Sequence, residues 1–573
     1  MEKPPHPWTD DELIARGISY RGHGLAVSSE PFAPNGETLA LIRRRVEAAA
    51  AAAEIVAEAF ASDAEVRSLY GYGALQETCV LKDPGYRPLI PLGRWDAFLF
   101  PDGPRFMEYN TDGAAGWHYS AALSALWREW ANLPPERVSL PRKLLDTILF
   151  CFHQWDRRGV ESPRMAIVDW AEVGTRSEQE ALAAAFTAWG TPASVEDPRA
   201  LSALGGRVRG ANGDYDLVYR RVVSEEVFSR AEEIRPFIDA YLEDAACFVG
   251  SFRTDPAWGK ALFVLLSDPH FSRLFPESLR DILGDSIPWS RVLVRGPVTF
   301  DGREHDLQDL LLARREEFLL KPLKSYEGRG VFAGPLTPPE LWREAVLRGM
   351  ERRDTLVQAM LQPAPFTSEC EGRSLYMQPG EYVLLGRLAG FLARSGTTPL
   401  ITPDNPERYH PVASEVPWSI PRDFEGIERE IRGALTAGAT RGERKRTVVD
   451  LLWSHLNGAG VAWLGFYDIA EAGDSMLLTV CRPRPACSPI GLHGVCGKAW
   501  KERAPQIVDD VHVLGASHIV CDPSNLSEVV VPCLDADGSC WGVLDLDSRA
   551  LASFTEADAR GLRRILRAAG LTA

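Results

Sequence analysis

Two prolines, Pro417 and Pro421, set in the stretch SEVPWSIPRD (414–423), interrupt regular structure at one place late in the chain. A break there excludes one continuous α/β unit, and at roughly 150 residues per domain 573 residues call for several folding units in any case. Upstream, 37–60 reads as an alanine-rich helix, while 165–170, 216–220, 317–321 and 355–358 read as strands. That mixture predicts α/β and α+β multidomain architecture with a Rossmann-like part over about 163–222. Downstream, 424–436 and 442–456 read as helices leading into a compact β-rich remainder. The expected division is 1–415, a linker over 416–424, and 425–573.

Composition narrows the partners. With 45% apolar and 25% charged residues the chain matches globular proteins and not disordered or disulfide-framework ones. Lys and Arg number 63 against 79 Asp and Glu, a formal charge of −16, which repels phosphate backbones and anionic lipid, so neither nucleic acid nor membrane is an expected partner. The apolar run 46–60 is interrupted by Glu47, Glu54 and Glu58, and 1–10 lacks a basic segment leading into an apolar one, so the expected location is cytoplasmic. Six of the ten cysteines, at 481, 487, 496, 521, 533 and 540, are crowded together. In a reducing compartment such crowding points to thiol chemistry or a metal before structural disulfides.

The upstream part carries one constellation. Arg94-Trp95-Asp96 precedes Glu108-Tyr109-Asn110, and strand alternation puts Glu108 and Asn110 on one face, with Asp96 twelve residues earlier on a candidate neighbouring strand. Such oxygen ligands suit Mg²⁺. Then Phe318-Leu319-Leu320-Lys321 is an apolar strand ending in a lysine, followed by a loop with Gly328 and Gly330. A lysine buried at a strand end is costly unless it meets an anion, and glycines let backbone N–H groups approach phosphate. Val357-Gln358 with Gln362-Pro363, and later Arg387 and Arg394, complete the set; those arginines clamp phosphate or form ordinary surface pairs.

This order of motifs resembles the circularly permuted ATP-grasp proteins, the group that includes the synthetase half of glutathionylspermidine synthase. The resemblance implies ATP and Mg²⁺ as cofactors, with Asp96, Glu108 and Asn110 on the metal and Lys321 with Gly328 and Gly330 on the phosphates. It further implies Gln358 at the adenine-side hinge, and Arg94 and Arg394 on the γ-phosphate or acyl phosphate. The family's E-Y-N-A-D-T-P is EYNTDGAAG here. The implied chemistry is ATP-driven joining of an unidentified carboxylate to an unidentified amine.

The downstream part carries a second constellation. Asp545 and Asp547 alternate onto one face and, with Glu528, would make an anionic pocket for an ammonium group, walled by Trp463 and Tyr467; otherwise the aspartates cap an exposed strand and the aromatics are core. Cys487, Cys496 and Cys521 lie in loops beside glycines or polar residues, and His518 is a candidate partner for the Cys521 thiol. Their spacing lacks the paired cysteines of structural zinc, which favours redox chemistry.

W-x-G-F-Y, A-C, G-V-C-G, H-I-x-C-D, S-x-E-V-V-x-P and G-V-L-D-x-D-S, in that order, resemble a GAF domain of the free methionine-(R)-sulfoxide reductase family, an antiparallel sheet flanked by helices. By that resemblance Cys521 attacks the sulfoxide sulfur of free methionine-R-sulfoxide, Cys496 resolves the sulfenic acid, Cys487 is the alternative resolving thiol, and Glu528, Asp545 and Asp547 hold the amino group. Such a cycle needs an external dithiol such as thioredoxin, and a homodimer through the GAF domain is an allowed assembly. The expected whole is a bifunctional enzyme. The alternatives are a ligase regulated by a sensing GAF domain, and a reductase carried on a degenerate ATP-binding scaffold.

Overall fold

The computed structural model describes residues 7–155, 159–160, 162–323, 330–399, 408–517, 519 and 521–573. The chain divides into two compact units, Met1–Trp418 and Ser419–Ala573. Among the described residues no helix is long and apolar enough to cross a membrane.

The first unit is built on several sheets. Its central antiparallel sheet runs Arg408–His410, Arg387–Gly396, Arg373–Leu384, Leu92–Phe100, Gly103–Asn110. The long helix Gly36–Ser62 lies on it; its alanines at 48, 49, 50, 52 and 53 are buried, and a stripe of small side chains lets a helix sit close to a sheet. A parallel sheet is ordered Cys247–Val249, Leu217–Arg220, Met165–Val168, Ala193–Glu196. The Rossmann-like part therefore extends past residue 222: its fourth strand, Cys-Phe-Val, is only three residues long and too short for any periodicity to register. A third sheet places Phe318–Pro322 between Thr355–Ala359 and Phe332–Ala333.

The second unit is one antiparallel sheet ordered Ile490–Gly491, Ser475–Arg482, Trp463–Ile469, Cys540–Ser548, Ser527–Leu534, Gln506–Val508. Strand alternation sorts its two faces. Leu464, Phe466, Val529, Val531, Leu544 and Leu546 are fully buried, while Trp463, Tyr467, Val530 and Val543 form a cluster on the opposite face with Ile490, Val495 and Cys496. Helices Phe424–Ala434, Arg441–Leu456 and Glu556–Ala568 pack together and against the sheet, and the short helix Val495–Glu502 lies against Ser527–Leu534 and Cys540–Ser548. Thr440 with Glu443 and Thr555 with Asp558 form reciprocal caps that start two of these helices.

The segment 416–424 is not the free linker that its prolines suggest. The Val416 carbonyl accepts from Lys143 Nζ at 2.9 Å and the Trp418 indole donates to the Leu384 carbonyl at 3.1 Å, which anchors one side in the first unit. Four residues on, the Arg422 guanidinium, with no exposed side-chain area, donates to the carbonyls of Ala459 (3.2 Å) and Ser553 (2.8 Å), to Ser553 Oγ (2.8 Å) and to Asp558 Oδ1 (3.0 Å). Removing one partner of a buried ion pair strands the other, at about 3–5 kcal/mol. Arg422→Ala is expected to lower the denaturation midpoint of the second unit by that amount, read by urea unfolding of the full chain, while Arg432→Ala, on an exposed helix face, changes it by less than about 0.5 kcal/mol.

Candidate active site

Sheet register assembles the second unit's pocket. Glu528 pairs directly with Asp547, and Asp547 with Trp463 on the other neighbour, while Asp545 pairs with Gly465 and Val530. Three carboxyl groups thus share one face of two adjacent strands, each offering an oxygen within 4.8 Å of the others. A Cβ at Gly465 would come within 2.7 Å of the Trp463 ring and 2.9 Å of Cys481 Cβ, so only glycine permits the ring to lie across this strand.

Trp463, Tyr467, Cys496, Cys521, Asn525, Glu528, Asp545 and Asp547 all line one pocket. The aromatics do more than wall it: the Trp463 indole donates to the Arg484 carbonyl at 2.8 Å, and the Tyr467 hydroxyl to the Cys487 carbonyl at 2.9 Å. Both hydrogen bonds hold the loop that carries Cys487. Arg484 reaches from that loop to Asp522, 3.3 Å away, beside Cys521.

The carboxyls are buried with unmet acceptors. Glu528 Oε1, Asp545 Oδ1 and the Asn525 amide oxygen have no hydrogen-bond partner, although each residue is more than nine-tenths buried. Burial, and then the neighbouring Asp545, pushes Glu528 up to about 8; burial pushes Asp545 up to about 7 against a hydrogen bond from Cys496; and Asp547 is raised well above its ordinary range by burial and its two acidic neighbours. Burial in this pocket therefore favours the protonated form of all three carboxyls.

The thiols differ in setting. Cys521 and Cys487 reach the surface, and Cys521 is pushed up to about 12, first by burial of part of its surroundings and then by a hydrogen bond with Cys487. Cys496 is buried, 3.4 Å from Asp545 Oδ2, and burial beside that carboxyl raises it well above its usual value. His518, expected beside Cys521, falls outside the described residues. Asn525, the pocket's third orphan acceptor, was missed because a lone asparagine in a turn carries no sequence signal.

In the first unit, register pairs Asp96 with Glu108 and Arg94 with Asn110, so the expected residues of these two strands do meet. Asp96 departs from its expected role on a metal. Its oxygens accept from Arg94 Nε (2.6 Å) and Nη2 (3.0 Å), Arg394 Nη2 (2.9 Å) and Asn110 Nδ2 (3.3 Å), and the two arginines hold its pKa down against burial. Arg94 is likewise engaged, its remaining terminal nitrogen donating to the Ala115 carbonyl at 2.8 Å. Gln358 is buried and bridges Lys321 Nζ (2.9 Å) and Ser290 Oγ (3.0 Å), so its side chain positions the lysine instead of forming an open hinge. Lys321, which also donates to the Met107 carbonyl at 3.2 Å, is pushed down to about 8 by burial, with Glu108 opposing.

Gly330 adopts φ 73°, packed on Pro322, whereas Gly328 lies outside the described residues. Two residues here escaped sequence reasoning. Lys260 lies near enough to both Glu108 and Lys321 to perturb the latter, and nothing in its surrounding sequence signals this. Gly380 pairs with Asp96, where a Cβ would approach Arg94 Cδ to 2.7 Å; the Pro379-Gly380 dipeptide was its only trace.

No family model matches the chain. A search of characterised proteins gives the GAF domain-containing protein A of Dictyostelium discoideum, 34% identical over 145 residues, 25% of this chain and 88% of that protein. Over about a quarter of its length the chain belongs to the GAF-domain family, and this part matches the GAF domain of free methionine-R-sulfoxide reductases. The free methionine-R-sulfoxide reductase of Escherichia coli is 38% identical over 108 residues, 18% of this chain, which spans 62% of that enzyme. Among solved structures, the free methionine-R-sulfoxide reductase of Neisseria meningitidis with its substrate is 31% identical, covering 26% of this chain and 85% of that one, with a TM-score of 0.24.

The raised carboxyls of this GAF unit give a pH signature. From the ordinary carboxylate range near 4 up to about 7 for Asp545 and 8 for Glu528, the unfolded chain sheds protons that the folded pocket keeps. Each group therefore subtracts stability as pH rises through that window, by up to about 1.4 kcal/mol per unit, and subtracts nothing below it. Glu528→Gln and Asp545→Asn are expected to melt above the wild type at pH 8 and within a degree of it at pH 4, read by scanning fluorimetry; an offset equal at both pH values would contradict this.

Proposed function

We propose that the GAF unit reduces free methionine-R-sulfoxide, and the observation that carries this reading is the buried pocket where unpartnered carboxyl oxygens of Glu528 and Asp545 share walls with the Cys521 thiol. An ammonium group supplies the N–H donors those oxygens lack and offsets their charge. The ammonium of a free amino acid, unlike that of a residue inside a peptide, is available for this, which makes the substrate the free amino acid. Trp463 and Tyr467 flank the apolar stem.

The chemistry follows from the thiols. Cys521 sulfur attacks the sulfoxide sulfur while a pocket carboxyl gives its proton to the sulfoxide oxygen and takes up the thiol proton; that hydroxyl then moves from the methionine sulfur to the Cys521 sulfur as the bond between the two sulfurs breaks, so methionine leaves and Cys521 becomes a sulfenic acid. Attack by the Cys487 thiol on that sulfur forms a disulfide and expels water; the exposure that Cys487 shares with Cys521, where Cys496 is buried, supports Cys487 as first partner. An external dithiol of the thioredoxin kind resets the pair.

Cys521→Ser is expected to lower turnover of free methionine-R-sulfoxide with dithiothreitol by more than a thousandfold. Asp545→Asn is expected to raise KM by 10- to 100-fold, the worth of one charge-assisted hydrogen bond of about 1.5–3 kcal/mol. A Cys521→Ser chain that keeps full activity would end the reading.

For the first unit we infer an ATP- and Mg²⁺-dependent carboxylate–amine ligase, supported by the meeting of Lys321, Gln358, Glu108 and Asn110 with the Arg94–Asp96–Arg394 cluster. Mg²⁺ fits the oxygens of Glu108 and Asn110 better than those of Asp96, which already take guanidinium donors. A metal there would offset phosphate charge, while Lys321 holds phosphate and Asp96 keeps the arginines aimed. Lys321→Met is expected to abolish Mg²⁺-dependent ATP turnover in mixtures of amino acids, small peptides and polyamines; no turnover by the wild type in any such mixture would end this reading.

A further inference from the structure

We propose that the carboxylate pocket of the GAF unit is also a zinc site, with Glu528, Asp545, Asp547 and the Cys496 thiolate as ligands, and that zinc held there blocks the thiol chemistry of the same pocket. The second half of the proposal rests on the reductase reading; the first does not.

Three buried side chains each bring a carboxyl oxygen within 4.8 Å of the others. One ammonium group pairs with only part of this set, whereas a dication can take an oxygen from each of the three and displace the protons that burial favours on them. Independently of this cluster, Asn525, 6% exposed and on a different segment, lines the same pocket with an amide oxygen that has no partner, an acceptor that a cation or its bound water would satisfy. The thiol selects the metal. Cys496 Sγ lies 3.4 Å from Asp545 Oδ2, and a tetrahedral ion with Zn–S of about 2.3 Å and Zn–O of about 2.0 Å has an S···O edge of about 3.5 Å. Mg²⁺ prefers six oxygens with several retained waters and gains nothing from sulfur. Zinc binding releases the Cys496 proton to solvent, with no change in oxidation state. Because the same carboxyl oxygens would hold the substrate ammonium, zinc and free methionine-R-sulfoxide exclude one another.

The test uses the full chain, kept reduced by a phosphine. Zn²⁺ titrated against a chromophoric chelator is expected to bind with one tight equivalent; Glu528→Gln/Asp545→Asn should weaken that equivalent at least a hundredfold and Cys496→Ser at least tenfold, whereas Cys487→Ser should leave it unchanged. Circular dichroism checks that each variant folds, and Asn525→Leu, a milder change, should weaken binding several-fold should the double variant unfold. In the reductase assay zinc should raise the apparent KM for methionine-R-sulfoxide, leave kcat, and be reversed by EDTA. No tight equivalent in the wild type, or one that survives in the double variant or its milder substitute, overturns the site. Tight binding that leaves KM unchanged overturns the block. A chain that lacks reductase activity even with EDTA ends the reductase reading, and the titration alone then decides the zinc site.

Discussion

Everything in the GAF unit is arranged around one electrostatic expense: three carboxyl groups held on one sheet face with too few donors to satisfy them. Buried, like-charged groups ionise reluctantly, and here Glu528 Oε1 and Asp545 Oδ1 have no donor among the described residues. The neighbouring design follows from this. Strand register brings Glu528 against Asp547, the bare Gly465 lets Trp463 lie over the strand, and the helix Val495–Glu502 sets Cys496 beside Asp545. A ligand that carries positive charge relieves the strain, so selectivity for cationic groups and the supply of an acid to a leaving oxygen come from one arrangement.

The pocket was largely legible in the sequence because its information is local. Alternation along Asp545-Leu546-Asp547 fixes their shared face, and the motif order brings Glu528, Trp463 and Tyr467 to the same place. What escaped is what depends on three-dimensional approach. Asn525 is an ordinary turn residue until its carbonyl is found sealed in. The Arg484–Asp522 pair, which ties the Cys487 loop to the residue after Cys521, depends on how two loops meet, and no spacing rule encodes that. In the first unit the strands at 92–110 and 318–322 were readable, yet Asp96 serves its arginines, Gln358 serves its lysine, and Lys260 joins them from a distant turn. Long-range partners decide a side chain's work even where its element is plain. The prolines at 417 and 421 marked a real seam but not its character, since Trp418 and Arg422 are each pinned to a different unit.

The two units present contrasting ways of handling buried charge. Around Asp96 the carboxylate is paired within the protein by two guanidinium groups, so it is held before any ligand arrives and acts as part of a frame. In the GAF pocket the pairing is left incomplete, and the missing partner must come from solution. The first strategy favours positioning, and the second favours capture.

Trp463 and Tyr467 each have a ring on the pocket and a polar atom on the backbone carbonyl of the loop that bears Cys487. Shape recognition and thiol placement are therefore mechanically linked through two side chains. Drift at either aromatic, whether to admit a larger ligand or a smaller one, would also release the loop and move its sulfur, so the shape of this pocket cannot change independently of where the Cys487 thiol sits. Any lineage that changes one must rebuild the other, which gives the pair a conservative influence far greater than their size in the fold suggests.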